Sequence, residues 1–192
     1  MMQNITVLET GSQRMVSLDI QSKLLQNNII MITGPINTET VTEYQTQLFY
    51  LMSRCSEEDT ITLYINSPGG SVYDGLGLYD TIQLVKKNNI TVRTVNIGMC
   101  CSMASILLMC GSKGHRDSTA NSSVMVHEIS TIEMGKTPDI IDATEEMKRL
   151  QATMDKIIEE NSSKDLISLC NRKDLWLSAE DAKKYNIIDN IL

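Results

Sequence analysis

The sequence predicts a single α/β domain in which short strands alternate with longer helices around one sheet. From residue 29 onward, runs of β-branched residues alternate with helical stretches, the rhythm of βα units whose sheet is buried on both faces. The chain has 192 residues and is 42% hydrophobic, which suits one domain with a substantial core and is rather little for two. Glycine-containing turns also follow several strands. We therefore expect one domain over residues 1–192.

The predicted elements follow one another in order. Strands are predicted at 29–33, 61–65, 91–97 and 124–127, and helices from 38 to about 55, from 71 to about 87, from 102 onward and from near 138. Asn37 can cap the first of these long helices, and Pro138 suits the first turn of the last. That last helix carries a stripe of apolar residues spaced three or four apart, which is expected to pack on this domain or on a partner subunit. The stripe comprises Ile140, Met147, Leu150, Met154 and Ile157.

Composition excludes several classes of function. A net charge of −7, with no block of basic residues, argues against nucleic acid and against anionic membrane surfaces as partners. The N-terminus has no signal-peptide pattern and no apolar run is long enough for a membrane span, so we expect a soluble, cytoplasmic protein. The five cysteines form no CxxC pair, and there are only two histidines. We expect reduced thiols and no metal site.

Two segments at strand ends could carry acyl-transfer chemistry. The segment 66–70 contains paired glycines that let backbone N–H groups face a bound group, although a plain strand-to-helix turn explains it equally well. A nucleotide-binding loop is improbable because GxxxxGK[ST] is absent. Ser102 stands where a strand passes into a helix, a place where free N–H groups can stabilise an oxyanion. Alternatively it is an ordinary helix cap, and Cys100 and Cys101 are rival nucleophiles.

A serine nucleophile needs a base, and the chain offers only His115 and His127. His115 lies in a charged turn, where a solvated imidazole is expected. His127 ends an alternating strand, where a sheet can hold the ring rigidly, so it is the better candidate. The spacing does not select the acid that would orient this histidine. The candidates are Asp139, Asp142, Asp155, Asp165, Asp174 and Asp181, with loop placement slightly favouring Asp174.

Taken together, these segments resemble the ClpP family of serine peptidases over nearly the whole chain. The matching segments are 17–25, 29–36, 64–72, 98–104, 124–127 and 173–179, in the order and with intervals like those of the family. The resemblance implies a crotonase-like α/β fold of repeated βαβ units with a protruding handle helix. It also implies a triad of Ser102, His127 and Asp174, and an oxyanion hole formed by the N–H groups of Gly70 and Met103.

The resemblance further implies an assembly and a partner. Family members form two stacked heptameric rings around a closed chamber, joined by a handle that matches residues 129–161, with Gly135 at its turn. The axial loop region corresponds to about residues 1–18. An AAA+ unfoldase of the Clp type threads unfolded polypeptide into the chamber and uses the ATP, so this chain itself is expected to need no cofactor.

The family's apolar docking surface for the unfoldase is matched by Tyr64, Leu84 and Leu192, with Thr62 in place of an aromatic residue. Because of this replacement, we expect an unfoldase partner that diverges from those of the family.

The sequence departs from the family pattern around the proposed triad. Glu128 and Ile129 follow the histidine in place of Gln-Pro, Cys100 and Cys101 stand where two alanines are common, and Lys173 replaces an arginine. The resemblance implies an endopeptidase of low side-chain specificity, and these departures leave a catalytically impaired ring or regulatory subunit as one alternative. A second alternative is another crotonase-like enzyme that binds an acyl thioester, since that fold also uses paired oxyanion N–H groups without needing a triad.

Overall fold

The computed structural model describes residues 6–10 and 15–192. In chain order the elements are β1 (Thr6–Thr10), β2 (Met15–Asp19), α1 (Ile20–Gln26), β3 (Ile29–Thr33), α2 (Thr38–Arg54), β4 (Thr60–Ser67), α3 (Val72–Lys87), β5 (Thr91–Cys101), α4 (Met103–Met109), β6 (Arg116–Ser118), β7 (Ser123–Val126), α5 (Thr137–Asn161), α6 (Leu166–Cys170), β8 (Leu175–Leu177), α7 (Ala179–Lys184) and β9 (Asn190–Ile191). The axial loop region expected at about 1–18 lies partly outside the described residues. Within them, β1 and β2 pair antiparallel as a separate two-stranded sheet.

A seven-stranded, mainly parallel sheet forms the centre of the described part of the chain. Strands β3, β4, β5, β6 and β9 lie side by side in that order, and β7 pairs in parallel with the end of β5. Within this sheet of the described residues, only β8 runs antiparallel, along β7. The alternation of parallel strands and helices confirms the predicted α/β class.

The two predicted helix starts in the first half of the chain are confirmed. Asn37 caps α2 and forms a reciprocal capping box with Thr40, which satisfies N–H groups that a helix start leaves without partners. Ser71 caps α3 by accepting from the N–H of Asp74. Both helices bury an apolar face against the sheet, as shown by the fully buried Leu48 and Ile82.

Strand β5 is longer than predicted, because Gly98 does not end it. A Cβ atom at Gly98 would lie 2.7 Å from the side-chain oxygen of Asn66, and that oxygen accepts a hydrogen bond from the N–H of Met99 at 3.1 Å. Glycine is needed here for a close approach between neighbouring strands. The strand then continues by pairing with β7, up to Cys101 opposite Met125. It therefore delivers the chain directly to residue 102.

Helix α5 begins at Thr137, as Pro138 predicted, and its apolar stripe divides into two halves. Leu150, Met154 and Ile157 are buried against the domain, whereas Ile140 is exposed. The irregular segment that precedes the helix is also exposed, with Ile132 and Met134 about nine-tenths accessible. This half of the helix and the segment before it lack apolar cover in the single chain. None of the helices in the described residues combines the length and apolar character that a membrane crossing needs.

Candidate active site

Ser102 lies between β5 and α4 in an unusual backbone conformation. Its φ is 53° and its ψ is −125°, a region that residues other than glycine seldom adopt. The N–H of Ser102 donates to the carbonyl oxygen of Met125 at 2.8 Å, which ties this conformation to strand β7. The side chain of Ser102 makes no helix-capping hydrogen bond, so the structure does not support the alternative that it is an ordinary cap.

The imidazole of His127 lies directly beside the serine hydroxyl. His127 follows the last residue of β7, and its Nε2 atom is 2.8 Å from Oγ of Ser102. Parallel pairing of β5 with β7 brings the two strand ends to the same edge of the sheet. In this geometry Nε2 can take the hydroxyl proton. The other histidine, His115, is exposed, in agreement with the sequence prediction.

Asp174 lies on the other side of the imidazole from Ser102, at a long distance for a hydrogen bond. Its Oδ1 atom lies 3.5 Å from Nδ1 of His127, and its side chain is 61% exposed compared with 22% for the histidine. The antiparallel pairing of β8 with β7 brings Asp174 to the imidazole, because Val126 pairs with Leu175. The competing aspartates have other neighbours. Asp155 accepts from Gln151, for example.

The glycine turn after β4 packs against the segment that carries Ser102. A Cβ atom at Gly69 would lie 2.5 Å from the carbonyl oxygen of Cys101, and one at Gly70 would lie 2.1 Å from the carbonyl oxygen of Ile36. Gly69 and Gly70 both have positive φ, 90° and 155°. The N–H of Ile36 donates to the oxygen of Gly69 at 2.9 Å, which fixes the turn further. These contacts explain why two glycines are required.

A cleft of about 270 Å³ opens next to Ser102 and His127. Gly70 and Met103 also line it, and the N–H of Met103 belongs to the first turn of α4, where N–H groups have no partner within the helix. The remaining walls are largely apolar and include Val72, Ile106, Met125, Val126, Met154 and Ile158. The cleft can therefore receive an apolar side chain while a carbonyl group approaches the serine.

The two cysteines before Ser102 are poor nucleophiles. Both are buried, and burial raises the pKa of the Cys101 thiol and raises that of Cys100 well above its usual range. A thiol rather than a thiolate is the prevailing form at neutral pH. Among the described residues there is also no group of three or more histidine, cysteine or acidic side chains arranged to hold a metal ion.

The role of Glu128 was not predicted from the sequence, which marked it only as a departure from the family pattern. Its Oε2 atom accepts a hydrogen bond from the backbone N–H of Arg172 at 3.1 Å. This contact joins the segment after His127 to the loop before Asp174. The only sequence signal was the position of a carboxylate immediately after the histidine.

Comparisons with a family model and with individual known proteins agree with each other. The family model described as Clp protease matches residues 12–192. The chain is also 38% identical, over 191 residues, to a protein of Bacteroides fragilis named "ATP-dependent Clp protease proteolytic subunit", and the match covers 98% of this chain and 90% of that protein. A protein of the same name from B. fragilis strain YCH46 is likewise 38% identical, with 85% of its length covered.

Proposed function

Since the chain belongs to the Clp protease family, we propose that it cleaves polypeptides with Ser102 as nucleophile, His127 as general base and Asp174 as orienting acid. It is a serine peptidase, as the sequence predicted, and acts as the proteolytic subunit of an ATP-dependent Clp protease. The observation that carries the assignment of the residues is the 2.8 Å contact between Oγ of Ser102 and Nε2 of His127.

The chemistry follows from the positions of these atoms. Ser102 Oγ attacks the carbonyl carbon of the scissile peptide while Nε2 of His127 takes its proton. The same proton then goes to the leaving amine, which departs and leaves an acyl group on the serine. Water, deprotonated by His127, hydrolyses this ester and restores the hydroxyl. Asp174 faces Nδ1, so it favours the tautomer in which Nε2 is free to accept the proton.

The negative oxygen of the tetrahedral intermediate needs donors, and we assign this role to the N–H groups of Gly70 and Met103. Both residues line the cleft beside Ser102. The close packing of the glycine turn on Cys101 and Ile36 holds one side of this site rigid, which is what pre-organised stabilisation requires. The apolar walls of the cleft suit an endopeptidase of low side-chain specificity.

The working enzyme in this proposal is an assembly of two stacked heptameric rings in the cytoplasm. The exposed apolar residues Ile132, Met134, Ile140 and Ile141 support an interface along the handle, about residues 129–161. A Clp-type AAA+ unfoldase would dock on the surface that includes Leu84 and Leu192, both of which are exposed, and would supply unfolded polypeptide. ATP is used by that partner.

One variant tests the catalytic assignment directly. We expect Ser102→Ala to abolish both hydrolysis of small fluorogenic peptides and labelling by a fluorophosphonate, while native mass spectrometry shows the same assembly as the unmodified protein. Undiminished hydrolysis by Ser102→Ala would overturn the proposal. Ser53→Ala is the control, because it removes an exposed serine hydroxyl on α2 that bonds only its own helix, to the carbonyl oxygen of Tyr50, and it should retain labelling of Ser102.

A second candidate is a catalytically impaired ring or regulatory subunit. The 3.5 Å separation of His127 from the exposed Asp174 favours it, since an acid held so loosely orients the imidazole poorly. The same labelling experiment separates the two functions. A fully assembled ring in which the unmodified protein takes up no label would support the impaired subunit.

A further inference from the structure

The chain reaches Asp174 through a tight turn over residues 170–173. Asn171 has φ −57° and ψ 118°, Arg172 has φ 57°, and the N–H of Lys173 donates to the carbonyl oxygen of Cys170 at 3.2 Å. These are the features of a type II β-turn, whose third residue must have positive φ and is usually glycine or asparagine. An arginine at this position is strained, so the turn needs support from elsewhere in the structure.

Glu128 provides that support from the segment that follows β7, one residue after the histidine. Its Oε2 atom accepts from the backbone N–H of Arg172 at 3.1 Å. The hydrogen bond that closes a type II turn joins its first and fourth residues, so the N–H of the third residue is left for another acceptor. A carboxylate one residue after His127 therefore holds the turn two residues before Asp174.

The segment around Glu128 is itself anchored on its other side. The N–H of Ile129 donates to Oε1 of Gln151 on α5 at 2.8 Å, and Nε2 of the same Gln151 donates to Asp155 at 2.7 Å. The backbone after His127 is thus fixed to a helix that packs on the core. The Glu128 side chain extends from this fixed point to the strained turn.

We propose that Glu128 is a positioning residue that holds Asp174 within reach of His127 through the N–H of Arg172. The inference rests on the proposed triad. Asp174 is largely exposed and lies 3.5 Å from the imidazole, so its placement depends on the backbone that carries it. Removing the carboxylate frees the turn to relax from its strained conformation, which moves Asp174 away and lowers the rate of acyl transfer.

A double-mutant cycle on peptide hydrolysis tests this inference. We expect Glu128→Ala to lower kcat about 10-fold or more with KM nearly unchanged, because displacing a catalytic group by about 1 Å is this costly. Glu128→Gln should stay within about 2-fold of the unmodified protein, since its amide oxygen can accept the same hydrogen bond. In an Asp174→Ala background, Glu128→Ala should have no further effect, because the group that it positions is absent.

Two further measurements complete the test. Arg172→Asn keeps the backbone donor and tolerates positive φ, so it should retain kcat and show that the guanidinium is not used. In the unmodified protein, the amide of Arg172 should exchange with deuterium more slowly than an unstructured amide, a readout that does not depend on whether a variant folds.

The inference is overturned if Glu128→Ala hydrolyses peptide like the unmodified protein, or if it lowers kcat by the same factor with and without Asp174. It is also overturned if Glu128→Gln is as impaired as Glu128→Ala, or if the Arg172 amide exchanges freely. Failure of the proposed function looks different, because then the unmodified protein takes up no fluorophosphonate or Ser102→Ala keeps its activity.

Discussion

Arg116 and Asp189 form an ion pair with two parallel contacts, in which the guanidinium is buried and the carboxylate is partly exposed. Nε and Nη2 of the guanidinium donate to the two carboxylate oxygens at 2.9 and 2.6 Å, and the backbone N–H groups of Gly114 and Arg116 donate to the same carboxylate. The arginine side chain is 3% exposed. The pair ties the chain just before β9 to strand β6, at the edge of the main sheet.

We expect Asp189→Ala to lower the free energy of unfolding by about 3–5 kcal/mol, because it leaves a buried guanidinium without its partner. Urea denaturation followed by circular dichroism measures the change. Lys148→Ala is the control, because it removes an exposed pair with Glu145 on α5 and should cost about 0.5 kcal/mol or less. Equal losses in the two variants would show that the pair of Arg116 with Asp189 contributes little.

The same carboxylate makes stability depend on pH. Burial raises the pKa of Asp189, but hydrogen bonds from the side chain and backbone of Arg116 outweigh burial, and the pKa lies below its ordinary value. The stabilisation is therefore complete above the unfolded-state pKa, about 3.9, and is lost as the pH falls through the lower folded-state value. Between pH 5 and pH 3 the urea midpoint of Asp189→Asn should fall less steeply than that of the unmodified protein. Parallel slopes would contradict this.

Gly70→Ala should damage both the turn and catalysis. The new Cβ would overlap the carbonyl oxygen of Ile36, which displaces the N–H group assigned to the oxyanion. Loss of one such donor typically lowers kcat about 100- to 1000-fold. Gly34→Ala is the matched control, since Gly34 also has positive φ but nothing lies within 4 Å of its added Cβ. Gly34→Ala should lower the free energy of unfolding by about 1–2 kcal/mol and leave kcat unchanged. A comparable loss of kcat in both variants would contradict the role of the Gly70 N–H as an oxyanion donor.

The cysteines should react slowly in the folded protein. Cys100 and Cys110 are fully buried, and burial raises the pKa of Cys110 to about 12, whereas Cys55 is only partly buried. With Ellman's reagent at pH 8 we expect Cys55 to react first, and all five thiols to react after denaturation. Cys101→Ala should keep peptide hydrolysis, and complete loss of activity in that folded variant would restore Cys101 as a rival nucleophile.

Tyr73 links α3 to α5. Its hydroxyl donates to the carboxylate of Glu146 at 2.9 Å, and Arg149 donates two hydrogen bonds to the same carboxylate. The hydrogen bonds from Arg149 and Tyr73 lower the pKa of Glu146 to about 2. We expect Tyr73→Phe to speed amide hydrogen exchange in the first half of α5 without changing the fold. Tyr50→Phe, on α2, is the control and should leave that exchange unchanged. Identical exchange in both variants would show that the hydroxyl does not restrain the helix.

The sequence predicted the elements whose signals are local. Asn37, Ser71 and Pro138 mark helix starts through their own hydrogen bonds or dihedral limits, and all three helices begin where expected. Ser102 was identified from its place where a strand passes into a helix, and His127 because the chain has only two histidines and this one ends a strand. The family resemblance was confirmed over nearly the whole chain.

Contacts between distant segments could not be predicted in the same way. Strand β5 continues past Gly98 because Asn66, 32 residues earlier, fills the space beside that glycine. Asp174 reaches His127 only through the antiparallel return of β8, which spacing along the chain does not reveal. The contact from Glu128 to Arg172 depends on the β-turn over residues 170–173. The third position of such a turn is usually glycine, but here it is Arg172, so the sequence does not reveal the turn.

The positive φ of Ser102 restricts which amino acids this position can accept during evolution or protein engineering. Threonine carries the same hydroxyl group, but its β-branched side chain is a severe outlier at positive φ. Cysteine has the same unbranched shape as serine and adds no comparable backbone conflict. A peptidase on this scaffold could therefore accept Ser102→Cys more readily than Ser102→Thr, because the backbone conformation restricts branching at Cβ and not the identity of the nucleophilic atom.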